Sequence, residues 1–361
     1  MLVPKICLIT CYDQPDYIRA KTLRTAFGAI DDVELVIIKN RHKGLLRYAE
    51  VMVKLVAARF IHRPELYFLT FRGYEMLPFV RLVSLGKPLV FDEFINLVEW
   101  VVYEHHLLKP DRLLAQILSG VYRFWLRSAD LIATDSASHA RYSAELMRLP
   151  LDKYVPLIVS TDEKTFGMSP ALKTRTSRPF NVFYYGLMMT PLQGLDTIIA
   201  AMHLLKDQDI RLTLVGGKDK AKSLIEQAQR DGVAILHKKW VPIEELRDYM
   251  QVSDVCLAGP FGDSVQAQFV IGGKTYQYMR MGRPVIIGHN LESGLWTDKK
   301  DALIVERANP QALAEAIIWA QQHPAELAKV GQAGEQLYQA KLSNKVLVEQ
   351  LELLLTNKHI A

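Results

Sequence analysis

Gly272, Gly273, Lys274 and Thr275 stand between an apolar run, DVCLAG, and the helical pattern TYQYMRM. Such an order reads as strand, loop and glycine-rich helix start. A helix that begins this way leaves backbone N–H groups unpaired, and its dipole favours an anion such as phosphate. Lys274 adds a positive charge and Thr275 a hydroxyl. A glycine-rich turn that only joins strand to helix is the plain alternative, so the surrounding elements have to decide.

Those elements alternate along the chain. Short apolar runs predict strands at VPKICLIT, VELVIIK, ELYFLTF, KPLVFDEF, ADLIATD and KYVPLIV, with amphipathic helical patterns between them. FNVFYYG, RLTLVGG, VAILHKK, DVCLAG, RPVIIG and ALIVE repeat the scheme, with helices starting near Leu195, Lys218, Ile243, Lys274 and Pro310. The class is α/β, with parallel sheets built from βαβ units. A chain of 361 residues suits two domains. We expect a doubly wound domain over 1–160, a polar Ser, Thr and Pro-rich linker over 161–179, and a second doubly wound domain over 180–340. Residues 341–361 are expected to form a helix that crosses back to pack on the first domain.

Composition excludes several classes. Half the residues are hydrophobic and 23% are charged, so the chain is globular rather than disordered. Cys7, Cys11 and Cys256 are odd in number and suggest neither disulfide nor metal, which points to a reducing cytoplasm. His105 and His106 lack a third ligand nearby in sequence, and no metal site is expected. MLVPKICLIT is too short for a signal peptide, and no apolar run is long enough to span a bilayer. The net charge of +5 is modest, but Lys39 to Arg63 and Lys109 to Arg127 are basic and helical in pattern. Such helices can contact anionic membrane at its inner face; the alternative is an ordinary solvated face. No nucleic-acid motif is present.

Ligands of doubly wound sheets bind beyond the carboxyl ends of the strands. In the second half those ends carry Gly186, the turn with Pro191, Gln193 and Gly194, then Gly216 and Lys218, all candidates for phosphate contact beside Gly272 to Thr275. Trp240 and Val241 follow another strand, with the Trp240 side chain expected to pack at the domain edge. Phe261, Gly262 and Asp263 form a loop at the same edge. In the first half the strand ends carry Asp13, Gln14, Tyr17, Arg72, Glu75, Asp92, Asn96, Asp135 and His139. Asp92, at the mouth of a buried strand, is the candidate catalytic base, with a helix cap as its alternative role. For His139 a surface or capping role is expected.

These residues resemble a known family. FNVFYYGLMMTPLQGLDTIIAAMHLL, RLTLVGG, HKKWVPIEELRDYMQVSDVCL and GPFGDSVQAQFVIGGKTYQYMRMGRPVIIG, with FDEFINL, TDSASHARY and CYDQPDYIRAKTLR, are similar to a bacterial branch of the family 4 glycosyltransferases. The resemblance covers nearly the whole chain. It implies the GT-B fold, two Rossmann-like domains facing across a cleft, and metal-independent, retaining transfer from a UDP- or GDP-linked sugar. The acceptor would be a hydroxyl on a glycan or lipid-linked intermediate of surface glycan synthesis, and no cofactor beyond the nucleotide-sugar is implied. It also assigns roles: Lys274 and its neighbours to phosphate, Trp240, Val241 and Gln277 to nucleobase and ribose, Phe261 to Asp263 to the donor sugar, and the first-domain residues to the acceptor.

The chain departs from the wider family at four places. Leu187 and Gln193 stand where many members have Arg and Lys, and Phe269 and Gln277 where many have glutamates. Those departures keep a non-catalytic GT-B partner subunit as the alternative. A dinucleotide oxidoreductase would need a GxGxxG turn, and CYDQPDY and YGLMMTP do not supply one.

Overall fold

The computed structural model describes residues 4–170, 179–186, 191–217 and 219–357. The chain divides into two compact units, residues 1–160 with 344–361, and residues 161–343.

The first unit runs β1 (Lys5–Thr10), α1 (Ile18–Phe27), β2 (Glu34–Lys39), α2 (Leu46–Ile61), β3 (Leu66–Leu69), α3 (Leu77–Val83), β4 (Leu89–Asp92), a π-helical segment (Glu99–Glu104), α4 (Leu113–Ser128), β5 (Leu131–Thr134), α5 (Ala137–Met147) and β6 (Tyr154–Pro156). Its strands form one parallel sheet in the order β2-β1-β3-β4-β5-β6. Successive side chains of a strand point to opposite faces, so a sheet covered on both sides needs continuous apolar runs. The runs in this unit divide in that way. Cys7, Ile9, Tyr67, Leu69 and Phe91 join the core beneath α2, α3, α4 and α5. Ile6, Leu8, Phe68, Val90 and Leu131 join the opposite core, beneath α1.

The second unit runs β7 (Phe180–Gly186), α6 (Leu195–Leu204), β8 (Ile210–Gly216), α7 (Asp219–Arg230), β9 (Ile235–Lys238), α8 (Ile243–Val252), β10 (Val255–Leu257), α9 (Gly273–Arg280), β11 (Val285–Gly288), β12 (Leu303–Val305), α10 (Pro310–Gln322) and α11 (Pro324–Lys341). Its strands are parallel in the order β12-β11-β10-β7-β8-β9, so the chain reverses its direction of travel across the sheet between β7 and β10. Residues 161–170 belong to this unit: Phe166 is buried, and the Ser169 N–H donates to the Met281 carbonyl at 3.2 Å.

The chain then breaks at Leu342 and Ser343 before α12 (Asn344–Leu355). α12 lies against α1, with Leu347, Leu351 and Leu354 completing the core beneath that helix. Gln350 Oε1 accepts the Ile158 N–H at 2.9 Å. All twelve expected strands are present, and α12 returns to the first unit as expected. The three cysteines are buried free thiols.

Candidate functional site

The order of the second sheet puts its switch point between β7 and β10, where a doubly wound sheet opens a crevice for a ligand. Four candidate segments meet there. β7 ends at Gly186, which pairs in register with Gly216 at the end of β8. Gly216 has φ +104°, and a β-carbon there would lie 2.2 Å from the Gly186 carbonyl oxygen, so close approach and backbone conformation both demand glycine. The Pro191–Gln193 turn and the loop after β10 are pressed together backbone to backbone. A β-carbon on Gly262 would stand 1.7 Å from the Pro191 carbonyl oxygen, and one on Gly194 would stand 2.4 Å from the Phe261 carbonyl carbon. Phe261 itself is fully buried, so it anchors the loop rather than offering a side chain to a sugar. Gly262→Ala should therefore lower stability by roughly 1–3 kcal/mol through overpacking and weaken nucleotide binding with it. Denaturant unfolding and a nucleotide titration of the variant measure both effects.

α9 starts at the same edge. Gly272 caps it in an extended conformation open to any residue, φ −62° and ψ 140°, so it is not required there for its backbone freedom. At Gly273 a β-carbon would meet nothing within 4 Å, and the residue is exposed; its missing side chain leaves the helix start uncovered. Lys274 is partly buried, with its ammonium 5.1 Å from the centre of the Tyr184 ring and 5.6 Å from that of Tyr185. Burial lowers its pKa to about 8. The rings offset that in part, since their faces attract a cation. Thr275 is buried in the first turn.

The same tyrosines account for two of the glutamines. Tyr184 Oη donates to Gln193 Oε1 at 2.9 Å, and Tyr185 Oη donates to Gln277 Oε1. Gln193 and Gln277 thus brace the aromatic seat of Lys274, a role the sequence reading did not assign. Tyr184 and Tyr185 were themselves missed; the signal was two tyrosines directly before the strand-ending Gly186. Phe269 is buried. Leu187 and Lys218 lie outside the described residues. Val241 is nearly buried, whereas Trp240 is 69% exposed and does not pack at the domain edge as expected, because it precedes the α8 cap at Pro242 on an open turn. Asp263 borders a cavity of about 680 Å³ beside His289, Asn290 and Arg307, with Arg307 Nη2 3.9 Å from its carboxylate.

In the first unit the candidates separate into a rim and a buried layer. On the rim, Asp13 accepts the Gly44 N–H at 2.9 Å and pairs with Arg47 at 2.7 Å, and these two contacts hold its pKa below the usual carboxylate range. Gln14 and Glu75 are exposed. Tyr17 packs edge-on or tilted among Tyr12, Phe71 and Phe94, and burial pushes its phenol up. Arg72 lies over Tyr12 and Trp100 with φ +50° and donates to Tyr74 Oη at 3.1 Å.

The buried layer corrects the sequence reading of three residues. Asp92 is fully buried and accepts from Arg19 Nε and Nη2 at 2.9 to 3.2 Å and from the Phe71 N–H at 3.2 Å. It is neither a helix cap nor a base open to an acceptor, because its oxygens are occupied by an internal arginine. Asn96 is buried too, donating to Glu93 and Ser143 and accepting the Val98 and Glu99 N–H groups. His139 is buried rather than at the surface, its Nδ1 2.6 Å from Asp135 Oδ1, while Ser136 supplies the helix cap. Burial opposes a charge on the imidazole, but Asp135, Glu93 and Glu99 together raise its pKa. Nearby, burial and the charge of Glu104 push Glu99 up to about 8.

Comparison with known proteins bears on the second unit first. Residues 179–323 match the family model described as "Glycosyl transferases group 1". Over those residues the second unit is similar to the group 1 glycosyl transferases. The whole chain is similar in fold to solved GT-B structures. Sucrose-phosphate synthase from Thermosynechococcus elongatus aligns with a TM-score of 0.74 at 16% identity, covering 98% of both chains. Anabaena Alr3699/HepE, solved in complex with UDP, aligns with a TM-score of 0.69 at 14% identity, over 98% of this chain and 99% of that one. A glycosyltransferase from Rickettsia africae gives 0.68 at 13% identity, over 98% of both. No curated protein sequence matches the chain. The GT-B likeness thus agrees with the two parallel six-stranded sheets, and the chain carries its phosphate candidates at the switch point of the second.

Proposed function

We propose that this glycosyltransferase moves a sugar from a UDP-linked donor to a hydroxyl on a glycan or lipid-linked acceptor of surface glycan synthesis, with retention and without a metal ion. The observation that carries the reading is Lys274, seated on Tyr184 and Tyr185 beside the uncovered start of α9. A departing nucleoside diphosphate accumulates negative charge, and preorganised donors aimed at that charge lower the barrier. The Lys274 ammonium and the first N–H groups of α9 are such donors. Gly186 and Gly216 leave the neighbouring strand ends free of side chains. UDP is favoured as the nucleotide because HepE was solved with UDP and with UDP-glucose. The acceptor is assigned to the rim of the first unit, where Asp13, Gln14, Arg72 and Glu75 offer both signs of charge and hydrogen-bonding groups.

A nucleotide screen tests the reading. At a hundredfold excess over its Kd, UDP should stabilise the protein by about 2.7 kcal/mol, seen as a raised thermal midpoint, while NAD leaves it unchanged. Release of UDP from a UDP-sugar should then depend on added acceptor. Silence towards every nucleotide would overturn the donor assignment, and UDP binding without any turnover would identify a non-catalytic subunit.

A further inference from the structure

Three consecutive helices of the first unit leave apolar side chains in water. On α2, Leu46, Val53 and Phe60 are 66%, 70% and 74% exposed, and they recur at helical spacing opposite the buried Val51, Leu55 and Ala58. α4 repeats the arrangement, with Leu113, Ile117 and Phe124 outward and Ala115, Tyr122 and Leu126 inward. α3 packs against both, and Leu82 on it and Leu85 just after it are exposed as well. All three bury their inner faces in the same core, so their outer faces look the same way. A groove of about 440 Å³ opens on that side, lined by Met52, Val53, Val56, Ala57 and Phe79. A helix that is apolar all round is normally buried, and here the outer half is not.

Charge identifies what covers it. Segments 39–63, 77–88 and 107–128 hold thirteen of the chain's 44 Lys and Arg residues but only Glu50 and Asp111 of its 39 acidic ones, which leaves the remainder net negative. A second copy docked on this face would set basic against basic. Anionic lipid headgroups complement it, while the apolar stripes enter the acyl boundary. We propose that the α2–α3–α4 face is a bilayer-docking surface that inserts Val53, Phe60, Ile117 and Phe124 into an anionic leaflet. Among the described residues no helix is long and apolar enough to cross a membrane, so the contact is interfacial. The proposal stands independently of the glycosyl-transfer reading. It also has a consequence for that reading: α2 and α4 begin at the sheet edge that carries Asp13 and Arg47, which would place the rim next to lipid-borne acceptors.

Sedimentation of the full chain with vesicles tests it without any activity measurement. The protein should partition onto phosphatidylcholine vesicles containing phosphatidylglycerol and far less onto phosphatidylcholine alone. Phe60→Gln and Phe124→Gln, both at exposed positions, should each weaken partition about tenfold with unchanged circular dichroism. Arg123→Gln with Arg127→Gln should weaken it on anionic vesicles only. Absence of partition onto either vesicle overturns the proposal. So does binding that high salt abolishes but the phenylalanine changes leave intact, since that is surface attraction without insertion. A concentration-dependent dimer, lost in the same phenylalanine variants, would instead assign the face to a second copy.

Discussion

Lys274→Met is expected to weaken binding of UDP by about a hundredfold, the scale set by losing a charge-assisted contact to phosphate, while raising the thermal midpoint of the ligand-free protein. The two effects have one cause. Burial has lowered the lysine to about 8, so the folded protein holds the ammonium less readily than the unfolded chain does. Where the unfolded state binds more protons, stability rises with pH. The cost of the buried charge is therefore present in full below about pH 8, and it is relieved between there and the ordinary lysine range. Allowing for partial solvent access, it is on the order of 2 kcal/mol at neutral pH, and an apolar side chain of similar length removes it. A diphosphate supplies the missing counter-charge. UDP binding should consequently take up a proton above pH 8, with affinity falling by up to about tenfold per pH unit. Calorimetric titration in buffers of different ionisation enthalpy reads that proton directly. Retained UDP affinity in Lys274→Met, or affinity flat from pH 7 to pH 10, would remove Lys274 from the phosphate site.

Much of this site was legible because its elements are local. Most of the twelve strands are short apolar runs, many of them closed by Gly, Pro, Asp or Thr, and such a run can be buried on both faces only in a covered parallel sheet. The strand order then brought Gly186, Gly216 and Lys274 to one edge with no further information. What escaped depended on distant pairs or on the environment of a single side chain. Asp92 reads as a strand-end carboxylate, and nothing near it shows that Arg19, 73 positions earlier, occupies its oxygens. His139 reads as a helix-start residue, and nothing beside it in sequence shows that it is buried near Glu93, just after β4, and Glu99 of the π-helical segment. Gln193 and Gln277 read as lost charges, yet each serves a tyrosine that supports the lysine. The basic helical pattern from Lys39 to Arg63 pointed to a membrane, but which apolar residues of α2 face outward was hidden for a different reason. A helix with apolar residues on two faces gives the same signal whether its second face meets protein, lipid or water.

Asp92→Asn is expected to lower stability by about 3–5 kcal/mol, the scale for removing one partner of a buried ion pair, and to leave turnover per folded molecule within a few-fold of the parent. The geometry dictates both halves. Arg19 is wholly buried; its Nη1 donates to the Leu157 and Ile158 carbonyls at 2.8 and 2.7 Å, and its Nε and Nη2 are spent on Asp92. One guanidinium thus ties α1 to the end of β4 and to the segment after β6. An amide at position 92 turns its NH2 toward donors, or withdraws one oxygen from them, and leaves a buried cation short of its counter-charge. Denaturant unfolding should show the loss as a lower midpoint with the slope unchanged. A general base predicts the opposite pattern, with turnover down about 10²–10⁴-fold and stability little altered. Arg19→Met combined with Asp92→Leu sharpens the distinction. Removing both charges abolishes the unpaired cation, so the double variant should recover part of the stability lost by Asp92→Asn. If the double variant is well folded but inactive, Asp92 acts on the substrate and the structural account of it fails.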